Sequence, residues 1–196
     1  IVAGLAFIQF KRNGHFNSEL ALPFVIFSIP MAIIGGYVSL DGEIYDILLI
    51  IFLILAAWRI LSIKRIEVGD VNIPSLKVSG PVGGIIGFVS GIIGVGGGIF
   101  LTPILLLNSW ATPKTAAAAA SIFIWITSLS ALSGSIISGQ VVLEPEKIIM
   151  FASVVIMGGY IGSRFGAGNA HEIYIRRSLV GVLIIAASKR IASLIF

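Results

Sequence analysis

Residues 87–98 read Gly-Phe-Val-Ser-Gly-Ile-Ile-Gly-Val-Gly-Gly-Gly, and Pro103 follows shortly after them. This glycine-rich run lies in a long uncharged segment, residues 78–113, which contains no Asp, Glu, Lys or Arg. Thirty helical residues reach about 45 Å, whereas the hydrocarbon core of a bilayer is about 30 Å thick. The segment is therefore too long for one straight span, and we expect a break at the glycine cluster or at Pro103.

The composition of the whole chain is that of an integral membrane protein, so the lipid bilayer is an expected partner. Of the 196 residues, 57% are hydrophobic and 11% are charged, against about 25% charged residues in soluble domains. The mean hydropathy is +1.08. Cysteine is absent, which excludes disulfides and thiolate chemistry. The net charge of +4 is not gathered on a basic face, so nucleic acid is not an expected partner.

Charged breaks divide the chain into three parts. We assign residues 1–63 to the remainder of a first transmembrane repeat, residues 64–77 to a cytoplasmic linker and residues 78–196 to a second transmembrane repeat. A span needs about 20 residues, and the opening apolar segment is shorter, so we expect a longer parent protein. Besides the long uncharged segment, the expected apolar segments are residues 1–10, 20–40, 47–63, 115–137, 148–163 and 178–196.

Short motifs recur in the two halves. Gly-Gly-Tyr at 35–37 recurs at 158–160, and Ile-Tyr at 44–45 recurs at 173–174. This pairs the first three apolar segments with the last three. We therefore predict an all-α polytopic membrane protein with two related helical repeats and a glycine-broken membrane segment in the second. Duplicated halves are typical of secondary transporters, which bind their solute where the repeats meet.

The positive-inside rule orients only part of this arrangement. It places the loop with Lys11 and Arg12, and the 64–77 linker, in the cytoplasm. If the long uncharged segment crosses once, the basic loop with Arg164, Arg176 and Arg177 lies outside, against the rule. If the segment enters and returns, that loop lies inside and the repeats are inverted. Charge alone leaves both possibilities open, with a slight preference for inversion.

The glycines fall into two groups. Gly84, Gly87 and Gly91 follow helical spacing, which is typical of a face where helices pack closely. Gly96, Gly97 and Gly98 are consecutive, and each weakens a helix by about 1 kcal/mol relative to alanine. Packing does not need consecutive glycines, so we expect a local break whose free N–H groups bind an anion.

The placement of acidic residues favours an anion over a cation. All of them lie in loops or at the ends of apolar segments, whereas a cation site in a membrane normally uses a carboxylate. They are Glu19, Asp41, Glu43, Asp46, Glu67, Asp70, Glu144, Glu146 and Glu172. Hydroxyls can complete an anion site, although a serine or threonine in a helix more often bonds to its own helix. The hydroxyl residues available are Ser90, Thr102, Ser121, Thr127, Ser128, Ser130, Ser133 and Ser135.

These arguments define a candidate substrate site and exclude several chemistries. The expected substrate-binding residues are Gly94, Gly96, Gly97, Gly98, Pro103, Ser121, Thr127 and Ser128. Ser90-Gly91 resembles part of a serine-hydrolase motif, but Phe88 stands where that motif has glycine, and no apolar segment contains a histidine base. We expect no enzymatic activity, no cofactor and no metal. Lys189 and Arg190 are interpreted as residues that extend from a helix end to the membrane surface.

The run from Gly91 to Pro103 resembles the signature of the TauE/SafE sulfite exporter family. The continuation from Thr115 through the alanine run to Ser121, and the pattern at 158–162, resemble it as well. The chain has no counterpart of the family's N-terminal glycine signature, and Ala120-Ser121 stands where members often have Thr-Ser. The resemblance covers essentially the whole chain. It implies a membrane protein with two related halves that moves sulfite, sulfonates or other sulfur-containing organic anions.

We therefore expect a multi-pass secondary transporter of the cell membrane that carries such a small anion by alternating access. One alternative is a passive channel or a transporter of an unrelated small solute. A second alternative is a non-transporting membrane subunit. The oligomeric state, including a homo-oligomer, is left open.

Overall fold

The computed structural model describes residues 2–38, 40, 42–62, 71–94, 96–140 and 151–160, together with 181, 184, 185 and 188. Every regular element in these ranges is an α-helix, which confirms the predicted all-α class. Most of the expected segment 178–196 and half of the 64–77 linker, residues 64–70, lie outside the described residues.

The helices follow the predicted apolar segments closely. Asn17 sets the beginning of α2, because its side chain accepts a hydrogen bond from the Leu20 N–H. Thr112 caps α6 in the same way, by accepting from the Thr115 N–H. The helices are α1 (Val2–Arg12), α2 (Ser18–Tyr37), α3 (Gly42–Ser62), α4 (Leu76–Ile93), α5 (Gly98–Leu107), α6 (Pro113–Ile137) and α7 (Phe151–Tyr160).

Helices α2, α4 and α6 are each long and apolar enough to cross a membrane. The chain forms two compact units. Unit 1 comprises Ile1–Ser39 and Glu67–Ser163, and unit 2 comprises Leu40–Ile66 and Arg164–Phe196. All three candidate spans therefore belong to unit 1, and α3 belongs to unit 2.

Helices α2 and α4 run parallel and approach backbone to backbone. Glycines of α4 contact residues of α2 in the same order along both helices, and successive contacts are four residues apart on each helix. The contacting pairs are Phe24 with Gly83, Ser28 with Gly87 and Ala32 with Gly91. Such close approach is possible because glycine has no side chain, and it is common between membrane helices.

Helix α6 runs parallel to α2 as well. At the beginning of both helices, Ser18 and Thr115 line one cavity. At their ends, Ser135 Oγ donates to the Gly36 carbonyl at 2.9 Å. Gln140 Nε2 donates to the Tyr37 carbonyl at 3.0 Å. The three candidate spans therefore share one direction.

The break in the long uncharged segment lies at the glycine cluster and not at Pro103. Helix α4 ends at Ile93, and Gly94 follows in the left-handed conformation with φ of 73°. Pro103 lies inside α5.

After Gly94 the chain folds back along α4. A Cβ at Gly97 would lie 2.5 Å from Ile86 Cγ2 and 3.4 Å from Ser90 Cβ, so Gly97 lies beside the preceding turns of α4. Farther on, the Trp110 ring lies 6.2 Å from the Phe24 ring, near the beginning of α2. The segment therefore folds back on itself, with α4 as the long arm and α5 as the short one, which is the arrangement expected of a segment that enters the membrane and returns.

Candidate functional site

The glycine break lies between α4 and the middle of α6. A Cβ added at Gly96 would lie 2.8 Å from Ile124 Cγ2 and 2.9 Å from Ser128 Oγ. Gly98 faces the side chain of the same Ile124. A Cβ at Gly97 would lie 2.8 Å from Phe123 Cε1. Apolar side chains thus wall the break, and they approach so closely that only glycine fits there without a shift.

The N-terminus of α5 presents free N–H groups at this break. The Gly98 N–H donates to the Gly96 carbonyl at 2.7 Å, and the Phe100 and Leu101 N–H groups donate to the Gly97 carbonyl at 3.1 Å. The N–H groups of Gly97 and Ile99 find no acceptor in the part of the chain that the structure describes. Unpaired N–H groups and the positive end of the helix dipole make this position suitable for an anion.

The predicted hydroxyls divide into one that is available and two that are engaged. Ser128 Oγ lies next to Gly96, is exposed and has no hydrogen-bond partner among the described residues. In contrast, Ser121 Oγ donates to the Ala118 carbonyl and Thr127 Oγ1 to the Phe123 carbonyl, each at 2.7 Å. An anion at the break would have to compete with these carbonyls for the hydroxyl protons.

The remaining predicted residues, Gly94 and Pro103, shape the backbone. Gly94 is exposed at the turn, and no atom lies within 4 Å of the place where its Cβ would stand. Pro103 is buried in α5 and has no N–H, so the carbonyl of Ile99 lacks its helical donor. These two residues fix the path of the chain on either side of the free N–H groups.

Ser90 belongs to the site, although sequence reasoning did not include it. It lies one helical turn before Gly94, and its Cβ faces Gly97. The side chain is 2% exposed, and its hydroxyl has no partner in the described part of the chain. Its position one turn from the break was the signal available in the sequence.

The described basic residues of unit 1 lie away from the break. Lys11 and Arg12 end α1, Lys77 lies at the beginning of α4 and Lys114 at the beginning of α6, and all four are exposed. They gather at the end of unit 1 where α2, α4 and α6 begin. Among the described residues, the positive potential at the break thus comes from backbone and hydroxyl dipoles, and that at the basic end comes from charged side chains.

A cavity of about 560 Å³ opens at this basic end. Trp110, which follows α5, lines it, whereas the glycines of the break do not. Helix α5 therefore leads from the cavity to the break, over about 14 Å at 1.5 Å per residue. The lining residues are Gly14, His15, Phe16, Asn17, Ser18, Glu19, Leu20, Val71, Trp110, Thr112 and Thr115.

Comparisons with known proteins agree with this membrane architecture. The chain is 28% identical to the probable membrane transporter protein y4hK of Sinorhizobium fredii, over 96% of this chain and 77% of that protein. It is 26% identical to the probable membrane transporter protein YunE of Bacillus subtilis, over 83% of this chain and 64% of that protein. No solved structure matches the chain.

The family model described as sulfite exporter TauE/SafE matches residues 1–190. That match and the named relatives confirm the predictions of a multi-pass membrane protein, of a transport function and of a protein that is not an enzyme. The chain therefore belongs to the sulfite exporter TauE/SafE family of membrane transporters.

Proposed function

We propose that the chain is a secondary transporter that holds a small, sulfur-containing oxyanion at the glycine break. The observation that carries the proposal is that the Gly97 and Ile99 N–H groups have no acceptor among the described residues, and that the Ser90 and Ser128 hydroxyls near the break have no partner there either. Ser90 lies on the α4 side of the break and Ser128 on the α6 side. Sulfite or a sulfonate fits because its several oxygen atoms can accept from all of these donors at once.

The basic end of unit 1 is the mouth through which the anion arrives. Exposed lysines and an arginine raise the local concentration of anions. The open cavity lies at this end, and α5 connects it to the break. Movement of one repeat against the other then exposes the break to the opposite side, which is alternating access.

The directions of the helices support inverted repeats within this mechanism. Sequence motifs pair α1 with α6. Gly14, just after α1, lines the same cavity as Thr115 at the beginning of α6, and Gly4 contacts Trp125 in the middle of α6. The two helices therefore run antiparallel, as inverted repeats require.

The test is solute flux into proteoliposomes that contain the purified chain. We expect saturable uptake of sulfite or of an alkylsulfonate, and accumulation against a gradient. Gly97→Val should abolish uptake, because its side chain would displace Ile86 and Phe123 and fill the break. Gly84→Ala is the matched control, since the nearest atom to its added Cβ is 3.5 Å away. Full uptake by Gly97→Val would refute the proposed site.

The same assay separates the alternatives. A passive channel gives flux that neither saturates nor concentrates the solute. A transporter of an unrelated solute gives saturable flux that sulfite and sulfonates do not inhibit. A non-transporting subunit gives no flux of any solute.

A further inference from the structure

Among the residues that the structure describes, the site at the break offers only neutral donors to an anion. The donors are the Gly97 and Ile99 N–H groups and the Ser90 and Ser128 hydroxyls, and the walls are Ile86, Phe123 and Ile124. Of the described cations of unit 1, Lys114 lies in the same helix as the wall residues Phe123 and Ile124. It is about 14–15 Å from them along α6. Within the described part of the chain, a bound anion therefore meets partial charges in apolar surroundings and no formal positive charge.

Such surroundings discriminate by charge. The cost of moving an ion from water into a medium of low dielectric constant grows with the square of its charge. The stabilisation by N–H and O–H dipoles grows only in proportion to the charge. A second negative charge thus adds more desolvation cost than these donors can offset.

Ser90 is the donor that distinguishes this site from a packing seam. Ser28, Ser79 and Ser121 are also buried in membrane helices, and each donates a hydrogen bond to a carbonyl of the preceding turn. The Ser90 hydroxyl is equally buried at 2% exposed but has no such partner among the described residues. Ser130 is buried at 9% exposed and likewise has no partner among the described residues, but it is not among the nearest neighbours of the glycines of the break. An unpaired buried hydroxyl is costly, and an anion at Gly97 would accept a hydrogen bond from that of Ser90.

We propose that the break selects singly charged oxyanions and rejects doubly charged ones, with Ser90 as a direct ligand. This inference rests on the anion site proposed above. It assigns alkylsulfonates and hydrogensulfite to the substrate class, and it excludes sulfate and the sulfite dianion.

The experiment is calorimetric titration of the purified full chain in detergent with methanesulfonate and with sulfate at equal ionic strength. Methanesulfonate should bind more tightly than sulfate by about tenfold or more, a difference of about 1.4 kcal/mol. The apparent affinity for total sulfite should rise as the pH falls through the neutral range, because the dianion takes up a proton there. Methanesulfonate binding should not follow that change.

Two variants test the role of Ser90. Ser90→Ala should weaken methanesulfonate binding by about tenfold without lowering the midpoint of thermal unfolding, since no hydrogen bond within the protein is lost. Ser28→Ala should lower the midpoint of thermal unfolding without weakening methanesulfonate binding, because the Ser28 hydroxyl donates a hydrogen bond to the Val25 carbonyl. Unchanged binding by Ser90→Ala would overturn the role of Ser90.

Two further outcomes separate this inference from the function on which it rests. Equal affinities for sulfate and methanesulfonate, both reduced by Gly97→Val, would overturn the charge selectivity and leave the anion site standing. Binding of neither anion, or binding that Gly97→Val does not change, would overturn the site itself and the selectivity with it.

Discussion

Glycines that look equivalent in the sequence have different surroundings. A Cβ at Gly91 would lie 2.5 Å from the Ala32 carbonyl oxygen and 2.9 Å from the Gly36 nitrogen. A Cβ at Gly84 would lie 3.5 Å from Met31 Cγ and 3.8 Å from the Phe27 carbonyl oxygen, both ordinary van der Waals distances. Backbone atoms cannot move aside as a flexible side chain can. Gly91 is therefore required by the contact between α4 and α2, and Gly84 is not.

Gly91→Ala should destabilise the protein by about 1–3 kcal/mol, the usual range for overpacking. Gly84→Ala should leave stability unchanged or raise it by up to about 1 kcal/mol, because alanine favours the helix. Thermal unfolding of the two detergent-solubilised variants measures the difference. Equal losses in both variants would contradict the contact geometry.

The spacing of the glycines predicted a packing face, but not which of these glycines contact another helix closely. Regular spacing placed Gly84, Gly87 and Gly91 on one face, and all three received the same interpretation. Which of these glycines contacts α2 closely depends on the path of the α2 axis, and no local sequence pattern encodes that path. Ser90 was named as an available hydroxyl but not as a substrate-binding residue, since whether a hydroxyl has a partner depends on a rotamer and on neighbours distant in sequence.

At the scale of elements, a single backbone conformation ends α4 and turns the chain. Gly94 has φ of 73°, and no atom lies within 4 Å of the position of a Cβ. A substitution there is therefore penalised by backbone strain and not by a clash. Gly94→Ala should cost about 1–2 kcal/mol, and Gly94→Asn should cost less because asparagine adopts this conformation more readily.

Thermal unfolding again provides the measurement for Gly94. The order of stability should be glycine, then asparagine, then alanine. If the Gly94→Ala variant is as stable as the original protein, the left-handed conformation at residue 94 is not what ends α4.

A second element-scale feature joins α6 to the end of α2. Ser135 Oγ and Gln140 Nε2 both donate to the Gly36 carbonyl, at 2.9 and 3.4 Å, and Gln140 also donates to the Tyr37 carbonyl. Carbonyls in the last turn of a helix have no partner within that helix. The two side chains therefore satisfy the end of α2 from a helix about 100 residues away in sequence.

Because the two donors share an acceptor, their removal should not be additive. Ser135→Ala or Gln140→Ala alone should cost about 0.5–1 kcal/mol, since the other donor remains. The double variant should cost more than the sum of the two single variants. A double-mutant cycle on thermal stability tests this, and additive losses would show that the two hydrogen bonds are independent.

Hydropathy and charge predicted the elements well because apolar length and charged ends follow from bilayer thickness. The expected segment 20–40 became α2 (Ser18–Tyr37), and the expected segment 115–137 became α6 (Pro113–Ile137). The capping residues Asn17 and Thr112 account for the small differences at the beginnings. Charge alone did not predict the return of the chain after Gly94, because the basic loop with Arg164, Arg176 and Arg177 gave only a slight preference for that arrangement.

At the scale of the molecule, the two units group the segments that the sequence motifs pair. The second and third helices of the proposed first repeat share motifs with segments in the second. Residues 44–45 and 173–174 carry the same Ile-Tyr motif, and both fall in unit 2. Residues 35–37 and 158–160 carry the same Gly-Gly-Tyr motif, and both fall in unit 1. The repeat stays a prediction, but each unit holds both copies of a motif.

The shared direction of α2, α4 and α6 makes a definite prediction about membrane topology. The ends where these helices begin carry Lys11, Arg12, Lys77 and Lys114, so the positive-inside rule places them in the cytoplasm. Because α5 returns the chain to that end, the loops before α2 and before α6 lie on the same side. A single crossing by the long uncharged segment would put them on opposite sides.

The absence of cysteine from the chain makes single-cysteine labelling a direct test. In intact cells a membrane-impermeant maleimide should label Gln140→Cys, and it should label Asn13→Cys and Asn108→Cys only after permeabilisation. Labelling of Asn13→Cys and Asn108→Cys from opposite sides would contradict the returning segment. Labelling of both from outside, with Gln140→Cys protected, would reverse the orientation and keep the return. The return matters for function, because it places the N-terminus of α5, with its free N–H groups, within the depth that α6 spans, where few other groups could hold an anion.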